Sequence, residues 1–289
     1  MAVLLVLGYF FINIIGNQSF DYDKSKYRLS IDDQTYDLHN PKQRWELPKE
    51  LEEISGLSYY QKNQLACIQD EDGILFIFSL TKKEIVRQEK FAGKGDYEGV
   101  ETIGDEVYVL KSNGKVYYFS LSNTDIDKVH EIETHLSHKN DTEGLGFESD
   151  LMELLIACKE DPGTKKVDVN KGRSIYKIEL PDRDFKKKPR FIIKGKPYNE
   201  MLDANDLSKK KHKPFKPSGV AVHPKSGFIF IIGTVGKMLV VLNPEGDLVH
   251  LVPLDPELFL QPEGICFSPR GDLYISSEGR GKSGYILKF

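Results

Sequence analysis

The apolar residues of this chain occur in short runs separated by turn residues, a pattern typical of β-strands. Four pairs of runs show it: 64–69 with 74–78, 106–110 with 115–119, 228–232 with 238–242, and 272–276 with 284–289. The first two pairs enclose Asp72-Gly73 and Asn113-Gly114. An Asx-Gly pair between two such runs predicts a tight hairpin turn at each place.

A motif built around a glycine occurs five times, and four of its copies precede these strand pairs. Its copies are centred on Gly56, Gly99, Gly144, Gly219 and Gly264, at separations of 43, 45, 75 and 45 residues. A period near 45 residues matches the length of a four-stranded propeller blade. The sequence therefore predicts an all-β protein, a β-propeller of five blades, or of six if the longest interval contains a further unit.

The last unit ends after its third strand, so a segment before Gly56 is expected to supply the fourth. Residues 27–31 and 43–47 are the two candidates. Such a strand would close the ring and cover a sheet edge that would otherwise stay unpaired.

The long interval is interpreted as one blade with insertions, including a polar loop at 161–172 and a short helix at 198–207. Residues 183–216 contain twelve Lys or Arg against four acidic residues, a local net charge of +8. Two interpretations stand: a solvated insertion, or a surface that contacts anionic lipid headgroups or another acidic partner. Nucleic acid is not an expected partner, because no recognition motif or series of stacking aromatics accompanies the charge.

Residues 2–15 form an apolar block with one Asn. This block is shorter than the ~20 residues that span a bilayer and has the length of an export signal. We predict a signal peptide or membrane anchor at residues 1–16, a linker with the closing strand at 17–44, and the propeller at 45–289. The expected setting is the cell envelope, either membrane-anchored or exported to the periplasm. A buried strand is the alternative for the apolar block.

Composition narrows the class of protein. With 39% hydrophobic residues, 289 residues in all and a net charge of -4, the chain can bury a large core and does not resemble a nucleic-acid binder. Cys67, Cys158 and Cys266 each lie in an apolar run and none belongs to a C-x-x-C motif. Buried free thiols are expected, with a disulfide staple or a reactive thiol as the alternative.

The innermost strand of each propeller blade lines the central channel, so equivalent repeat positions form rings around the axis. The position before each motif glycine gives Ser55, Glu98, Glu143, Ser218 and Glu263. Two residues earlier stand Glu53, Asp96, Asp141, Lys216 and Gln261. Carboxylates gathered in a narrow channel repel one another unless a cation or protons compensate their charge.

Calcium suits such a ring, because it takes six to eight oxygen ligands with flexible geometry. Glu98, Glu143 and Glu263 are the predicted ligands. The weaker candidates are Glu53, Asp96 and Asp141. Zinc is disfavoured, since no histidine or cysteine stands near these motifs at a ligand spacing. The alternative is architectural: the glutamates would only accept hydrogen bonds from backbone amides of the next blade.

Charged residues follow the second strand of several units and are predicted to lie at one mouth of the channel. They are Asp70, Glu71, Lys111, Lys159, Glu160 and Glu278. A ligand-binding role for these side chains competes with the interpretation that they are ordinary charged loop residues.

The five motifs run along the chain as Glu53-Ile-Ser-Gly-Leu, Asp96-Tyr-Glu-Gly-Val, Thr142-Glu-Gly-Leu-Gly-Phe, Lys216-Pro-Ser-Gly-Val and Gln261-Pro-Glu-Gly-Ile. In this order they resemble the repeat motifs of the SdiA-regulated (YjiK-like) family, over about residues 45–289. The resemblance implies a compact propeller, Ca²⁺ at the channel glutamates, an N-terminal membrane segment and a cell-envelope setting. Ser55 and Ser218 depart from glutamate at their position, which leaves the number of side-chain ligands open.

Two classes of function remain. The first is a non-catalytic, calcium-binding propeller, membrane-associated or exported, that binds a protein, a glycan or a small ligand on a channel face. The second is a calcium-dependent hydrolase, a phytase-like phosphoesterase or a lactonase, in which the cation would polarise the substrate. Because the sequence contains no convincing acid-base set, the binding role is favoured.

Overall fold

The structure is a computed structural model that describes residues 24–122, 128–164, 172–207 and 214–289. Over these ranges the strands form five blades and one separate two-stranded hairpin, which confirms the five-bladed propeller. No helix within the same ranges has the length and apolar character needed to cross a membrane. The predicted signal peptide or anchor at residues 1–16 and the first part of the linker lie outside the described residues.

Three strands precede the first motif glycine. They are β1 (Arg28–Ile31), β2 (Gln34–Asp37) and β3 (Gln43–Glu46). Single 3₁₀ turns at Lys24–Tyr27 and Lys49–Leu51 flank them.

Blades one and two are antiparallel meanders that run from the axis outward. Blade one consists of β4 (Ile54–Gln61), β5 (Gln64–Gln69), β6 (Asp72–Ser79) and β7 (Glu84–Lys94). Blade two consists of β8 (Tyr97–Ile103), β9 (Glu106–Lys111), β10 (Val116–Ser120) and β11 (His130–Ile132).

Blade three carries the insertions. Its strands are β12 (Thr142–Glu148), β13 (Glu153–Cys158), β14 (Gly172–Glu179), β15 (Asp184–Phe185) and β16 (Phe191–Lys194). Both β15 and β16 pair with the outer edge of β14. The helix α1 (Gly195–Ala204) follows β16, in agreement with the short helix predicted in this interval.

The basic segment 183–216 is partly neutralised by acidic residues of the blades. Arg183 Nη2 lies 2.7 Å from Glu106 Oε1, and Lys186 Nζ lies 2.7 Å from Glu179 Oε2. Arg190 forms an ion pair with the buried Glu153. These contacts hold parts of the insertion against the propeller, and residues 208–213 lie outside the described part.

Blades four and five complete the ring. Blade four consists of β17 (Gly219–Val222), β18 (Ile229–Gly233), β19 (Met238–Leu242) and β20 (Leu248–Pro253). Blade five consists of β21 (Gln261–Phe267), β22 (Leu273–Glu278), β23 (Tyr285–Lys288) and, as its outermost strand, β3.

The N-terminal strand β3 closes the propeller, as one of the two candidate segments predicted. It pairs antiparallel with β23, with Trp45 opposite Ile286, and the Trp45 indole Nε1 donates a hydrogen bond to the Leu80 carbonyl at 2.8 Å. The other candidate, residues 27–31, is wrong as a closing strand. Its residues form β1, which pairs with β2 and packs Leu29 between blades four and five.

The hydrophobic core lies between neighbouring blades. Five clusters of buried apolar side chains fill the five blade–blade interfaces of the described residues. The cluster between blades five and one contains Trp45, Phe76 and Ile286. Each sheet is therefore apolar on both faces, which explains why many strands read as continuous apolar runs.

Only one of the two predicted Asx-Gly turns is correct. Gly114 has φ +85° and its amide donates to the Lys111 carbonyl at 2.8 Å, as expected for a hairpin turn. Asp72 and Gly73 instead begin β6. At Gly73 the chain passes so close to β7 that an added Cβ would lie 2.7 Å from the Ala92 carbonyl carbon, so the glycine allows this approach.

Candidate functional site

The five motif glycines lie where the inner strands of neighbouring blades touch. The inner strands β4, β8, β12, β17 and β21 contact one another in a closed ring. A Cβ on a motif glycine would meet the next blade at under 3 Å. Measured from the added Cβ, the distances are 2.9 Å at Gly56 to Val100 N, 2.9 Å at Gly99 to Leu145 N, 2.9 Å at Gly144 to Val220 N, 2.4 Å at Gly219 to Glu263 O and 2.9 Å at Gly264 to Leu57 N. Glycine at this position permits the close packing at the axis.

A β-bulge positions the residue before the motif glycine. In β4, β8, β12 and β21 the pairing with the second strand skips one register at this position. A bulge leaves its extra residue unpaired and redirects the side chain. Glu98, Glu143 and Glu263 thereby line a cavity of about 10 Å³ on the axis, to which all five inner strands contribute.

The two serines at this position stabilise the ring. Ser55 Oγ donates to the Tyr97 carbonyl at 2.7 Å, and Ser218 Oγ donates to the Pro262 carbonyl at 2.6 Å. Each acceptor is the residue before the glutamate of the next blade. The serines therefore link neighbouring blades, and three of the five ring positions carry a carboxylate.

The three axial glutamates hold their protons more tightly than exposed glutamates do. Burial raises the pKa of Glu98 to about 10, with further increases from the charge of Glu143 and from a hydrogen bond and charge at Asp96. Burial also raises the pKa of Glu263, and the charges of Glu143 and Glu278 add to the effect. The three carboxyl groups line one small cavity, so their ionisation in the bore is costly unless the negative charge is compensated.

Lys159 supplies part of that compensation. Its ammonium group pairs with Glu143 and lies 3.5 Å from Asp141 Oδ2. Burial raises the pKa of Glu143 to about 7, although the charge and hydrogen bond of Lys159 oppose the rise. Although burial favours the neutral amine, the pKa of Lys159 is also raised, because Glu143, Asp141 and Glu263 favour the ammonium form. One ammonium group thus acts on two of the three axial glutamates, Glu143 and Glu263.

The donor atoms at the axis suit a hard cation, but they are not already arranged around a metal position. The axial side chains offer oxygen only, and the cavity has room for about one ion or water molecule. Within the described ranges, no three His, Cys, Asp or Glu side chains are already grouped as metal ligands. Because Glu98 and Glu263 favour their protonated forms, a cation that binds here would release protons from these carboxyl groups.

The weaker ligand candidates lie toward the mouth beside the axial glutamates, here called the near mouth. Asp96 is exposed and interacts with Glu98, and Asp141 lies beside Lys159. Glu53 is exposed, and its charge acts on Asp70 and Glu278.

The predicted mouth residues occupy this same end of the channel in different roles. Burial raises the pKa of Glu278 to about 7, followed by the charges of Asp70 and Glu53. Burial and the charge of Glu53 raise the pKa of Asp70 too. The other four have local partners: Glu71 lies 3.8 Å from Lys94, Lys111 stands 5.3 Å from the Tyr97 ring centroid, Lys159 pairs with Glu143, and Glu160 pairs with Lys216.

Sequence reasoning missed two residues of blade four that approach Glu263. Thr234 Oγ1 donates to the Pro262 carbonyl at 2.6 Å and lies 3.2 Å from Glu263 Oε1. Lys237 Nζ donates to the Leu260 carbonyl at 2.6 Å, and burial followed by the charge of Arg280 lowers its pKa to about 8. Both lie between β18 and β19, where no motif marks them.

Solved structures confirm the fold. A glutaminyl cyclase from Myxococcus xanthus is 14% identical with a TM-score of 0.56, and the match covers 86% of this chain and 94% of that chain. A glucose dehydrogenase is 15% identical with a TM-score of 0.52, over 86% of this chain and 99% of that chain. At these identities the likeness shows the fold alone.

The sequence comparisons are consistent with the motif analysis. No curated protein matches the chain. The SdiA-regulated family matches residues 30–280, which include all five motifs and the closing strand. The chain therefore belongs to the SdiA-regulated family.

Proposed function

We propose that this protein is a calcium-binding propeller of the cell envelope that presents a channel face to a protein, glycan or small ligand. One observation carries the calcium part: Glu98, Glu143 and Glu263 line one axial cavity of about 10 Å³, and only Lys159 offsets their charge by direct pairing among the described residues. Ca²⁺ is the biological cation that best matches an all-oxygen donor set of variable geometry.

Glu98, Glu143 and Glu263 would hold the ion, together with carbonyl groups or water. When bound, the cation neutralises charge at the point where the five inner strands meet. Its main effect is then on stability, because it favours the folded ring over the open chain. Lys159 competes with it for Glu143, so removal of the lysine charge strengthens calcium binding.

The test measures the calcium-dependent shift in melting temperature. At a concentration 100-fold above its Kd, a ligand stabilises the folded state by about 2.7 kcal/mol, which corresponds to roughly 5–10 °C for a protein of this size. We expect such a shift between excess chelator and excess calcium. Glu98→Gln and Glu143→Gln should each remove most of it, and Lys159→Gln should enlarge it.

Glu257→Gln is the matched control, because Glu257 is an exposed loop residue. Its calcium response should equal that of the unaltered protein. Equal melting curves with and without chelator would refute the calcium proposal. Calcium-dependent turnover of phosphoesters or lactones above a Glu98→Gln control would replace the binding role by the hydrolase.

The envelope part of the proposal rests on the apolar block at residues 2–15. Fractionation of the full chain with a C-terminal tag should place it in the membrane or periplasmic fraction. Recovery in the cytoplasmic fraction would refute this part while leaving the calcium proposal intact.

A further inference from the structure

The opposite end of the channel, here called the far mouth, holds a second and larger cavity. Its volume is about 230 Å³. Every inner strand contributes a residue that follows its motif glycine: Tyr59, Glu101, Phe147, Val222 and Phe267. Because the axial glutamates stand at the start of the inner strands and these residues toward the end, the two cavities are separate positions along one axis.

Glu101 is held in place at this cavity by its neighbours. Ser58 Oγ donates to Glu101 Oε1 at 3.1 Å and also lies 3.1 Å from Thr102 Oγ1. The backbone amide of Thr102 donates to the same Ser58 oxygen at 3.1 Å. Among the described residues, none forms an ion pair with Glu101. The carboxyl group is therefore oriented by hydroxyl groups and lacks a cationic partner.

A second carboxyl group lines the cavity from blade three. Glu148 is 6% exposed, and its Oε1 accepts a hydrogen bond from the Asp150 amide at 3.1 Å. Its Oε2 has no hydrogen-bond partner within the described part of the chain. Arg190 Nη1 lies 3.7 Å from that oxygen but pairs more closely with Glu153. Glu148 therefore adds a second carboxyl group to the wall, and its cationic partner Arg190 is not among the lining residues.

Aromatic and apolar side chains form much of the remaining wall, and Ser149, Asp150 and Ser268 are polar residues of the same lining. Tyr59, Phe147 and Phe267 line the cavity, and no Lys or Arg is among its described lining residues. His223 also lines it, but Ser226 and Tyr36 occupy the two ring nitrogens, and burial lowers the pKa of this imidazole. Aromatic faces attract cations and pack against apolar groups.

We propose that the far-mouth cavity binds a small organic cation, a primary amine with an apolar or single-ring body. The ammonium group would donate to the Glu101 carboxylate, Glu148 and Asp150 would add negative charge to the same wall, and the aromatic rings would enclose the body. A hydrated metal ion fits less well, because three aromatic side chains occupy positions where it would need oxygen ligands. This inference goes beyond the calcium proposal and does not depend on it.

The test is isothermal titration calorimetry with benzylamine, 2-phenylethylamine and cyclohexylamine at about pH 8.5, where primary amines remain protonated. Benzyl alcohol and benzoate are the matched neutral and anionic probes. We expect saturable binding of at least one amine, with the alcohol and the acid weaker by roughly tenfold or more. Binding of benzyl alcohol as tight as that of benzylamine overturns the proposal, and so does failure of all three amines at about 10 mM.

Paired variants separate the two sites. Glu101→Gln keeps the shape and should weaken amine binding by roughly tenfold to a hundredfold, because it removes a charged hydrogen-bond acceptor. Glu98→Gln and the near-mouth variant Glu278→Gln should leave amine binding unchanged, with calcium or with chelator. Circular dichroism checks that each variant is folded. Unchanged amine affinity in folded Glu101→Gln protein overturns the proposal, whatever the calcium response.

Discussion

The pH dependence of stability should reveal the raised pKa of Glu101 at the far mouth. Burial raises the pKa of Glu101 from 4.5 to about 8, and only the Ser58 hydrogen bond opposes it. Well below pH 4.5 the carboxyl group is protonated in the folded and the unfolded protein, so its ionisation does not change the free energy of unfolding. As the pH rises from there toward 8, the unfolded chain releases this proton and the folded protein keeps it. The free energy of unfolding therefore falls over this range.

The size of the effect follows from the two pKa values. Each pH unit between them is worth about 1.4 kcal/mol, so the interval from 4.5 to 7 gives at most about 3 kcal/mol. Because Glu101 is partly exposed, solvent reduces this figure, and we expect about 1–3 kcal/mol. Glu101→Gln removes the titration, so the variant should gain stability relative to the unaltered protein between pH 5 and pH 8 by that amount.

Urea denaturation at four pH values measures this difference, with the fluorescence of Trp45, the single tryptophan, as the signal. The comparison of two proteins cancels the titration of groups on which Glu101 does not act. The charge of Glu101 does act on Cys266, but burial raises the pKa of this thiol well above its usual value, so it stays protonated over the pH range of the experiment. Glu257→Gln should follow the unaltered protein at every pH. Parallel curves for Glu101→Gln and the unaltered protein would show that Glu101 ionises as freely as a surface residue and would refute the reasoning.

Substitutions at Gly99 and at Trp45 test the ring itself. Gly99→Ala should destabilise the protein by about 1–3 kcal/mol or more, because the new Cβ would lie 2.7 Å from Leu145 Cβ. Gly93→Ala, where no atom lies within 4 Å, should change stability by less than about 0.5 kcal/mol, and equal denaturation midpoints for the two variants would contradict the close approach at the axis.

Trp45→Phe should cost about 1–3 kcal/mol through the lost hydrogen bond to Leu80, and Trp45→Ala about 3–5 kcal/mol through the lost packing that closes the ring. A Trp45→Ala melting curve equal to that of the unaltered protein would show that β3 does not hold the propeller shut.

The repeat carried most of the fold information. The motif glycines recur because every inner strand meets the same neighbour at the axis, so one packing constraint acts five times on the sequence. The same recurrence predicted Glu98, Glu143 and Glu263 as neighbours, and the axial cavity shows them together. The repeat did not predict the hydrogen bonds of Ser55 and Ser218 to the next blade, because these bonds depend on where its carbonyl groups point.

Contacts made once in the molecule could not be predicted in this way. The pairing of Lys159 with Glu143, the approach of Thr234 to Glu263 and the choice of β3 as closing strand each join segments that follow no repeat. The turn predicted at Asp72-Gly73 is wrong for a related reason. Gly73 allows the close approach of the neighbouring strand β7, and the local sequence does not show that this strand lies there.

The order of strands, the period and the axial ring of acids are properties of the linear chain, because periodic packing leaves a periodic pattern of residue types. The electrostatic state of those acids and the existence of the far-mouth cavity are properties of the folded ring. They depend on burial and on which unrelated side chains meet there, and both quantities arise only when distant parts of the chain come within a few ångströms of each other.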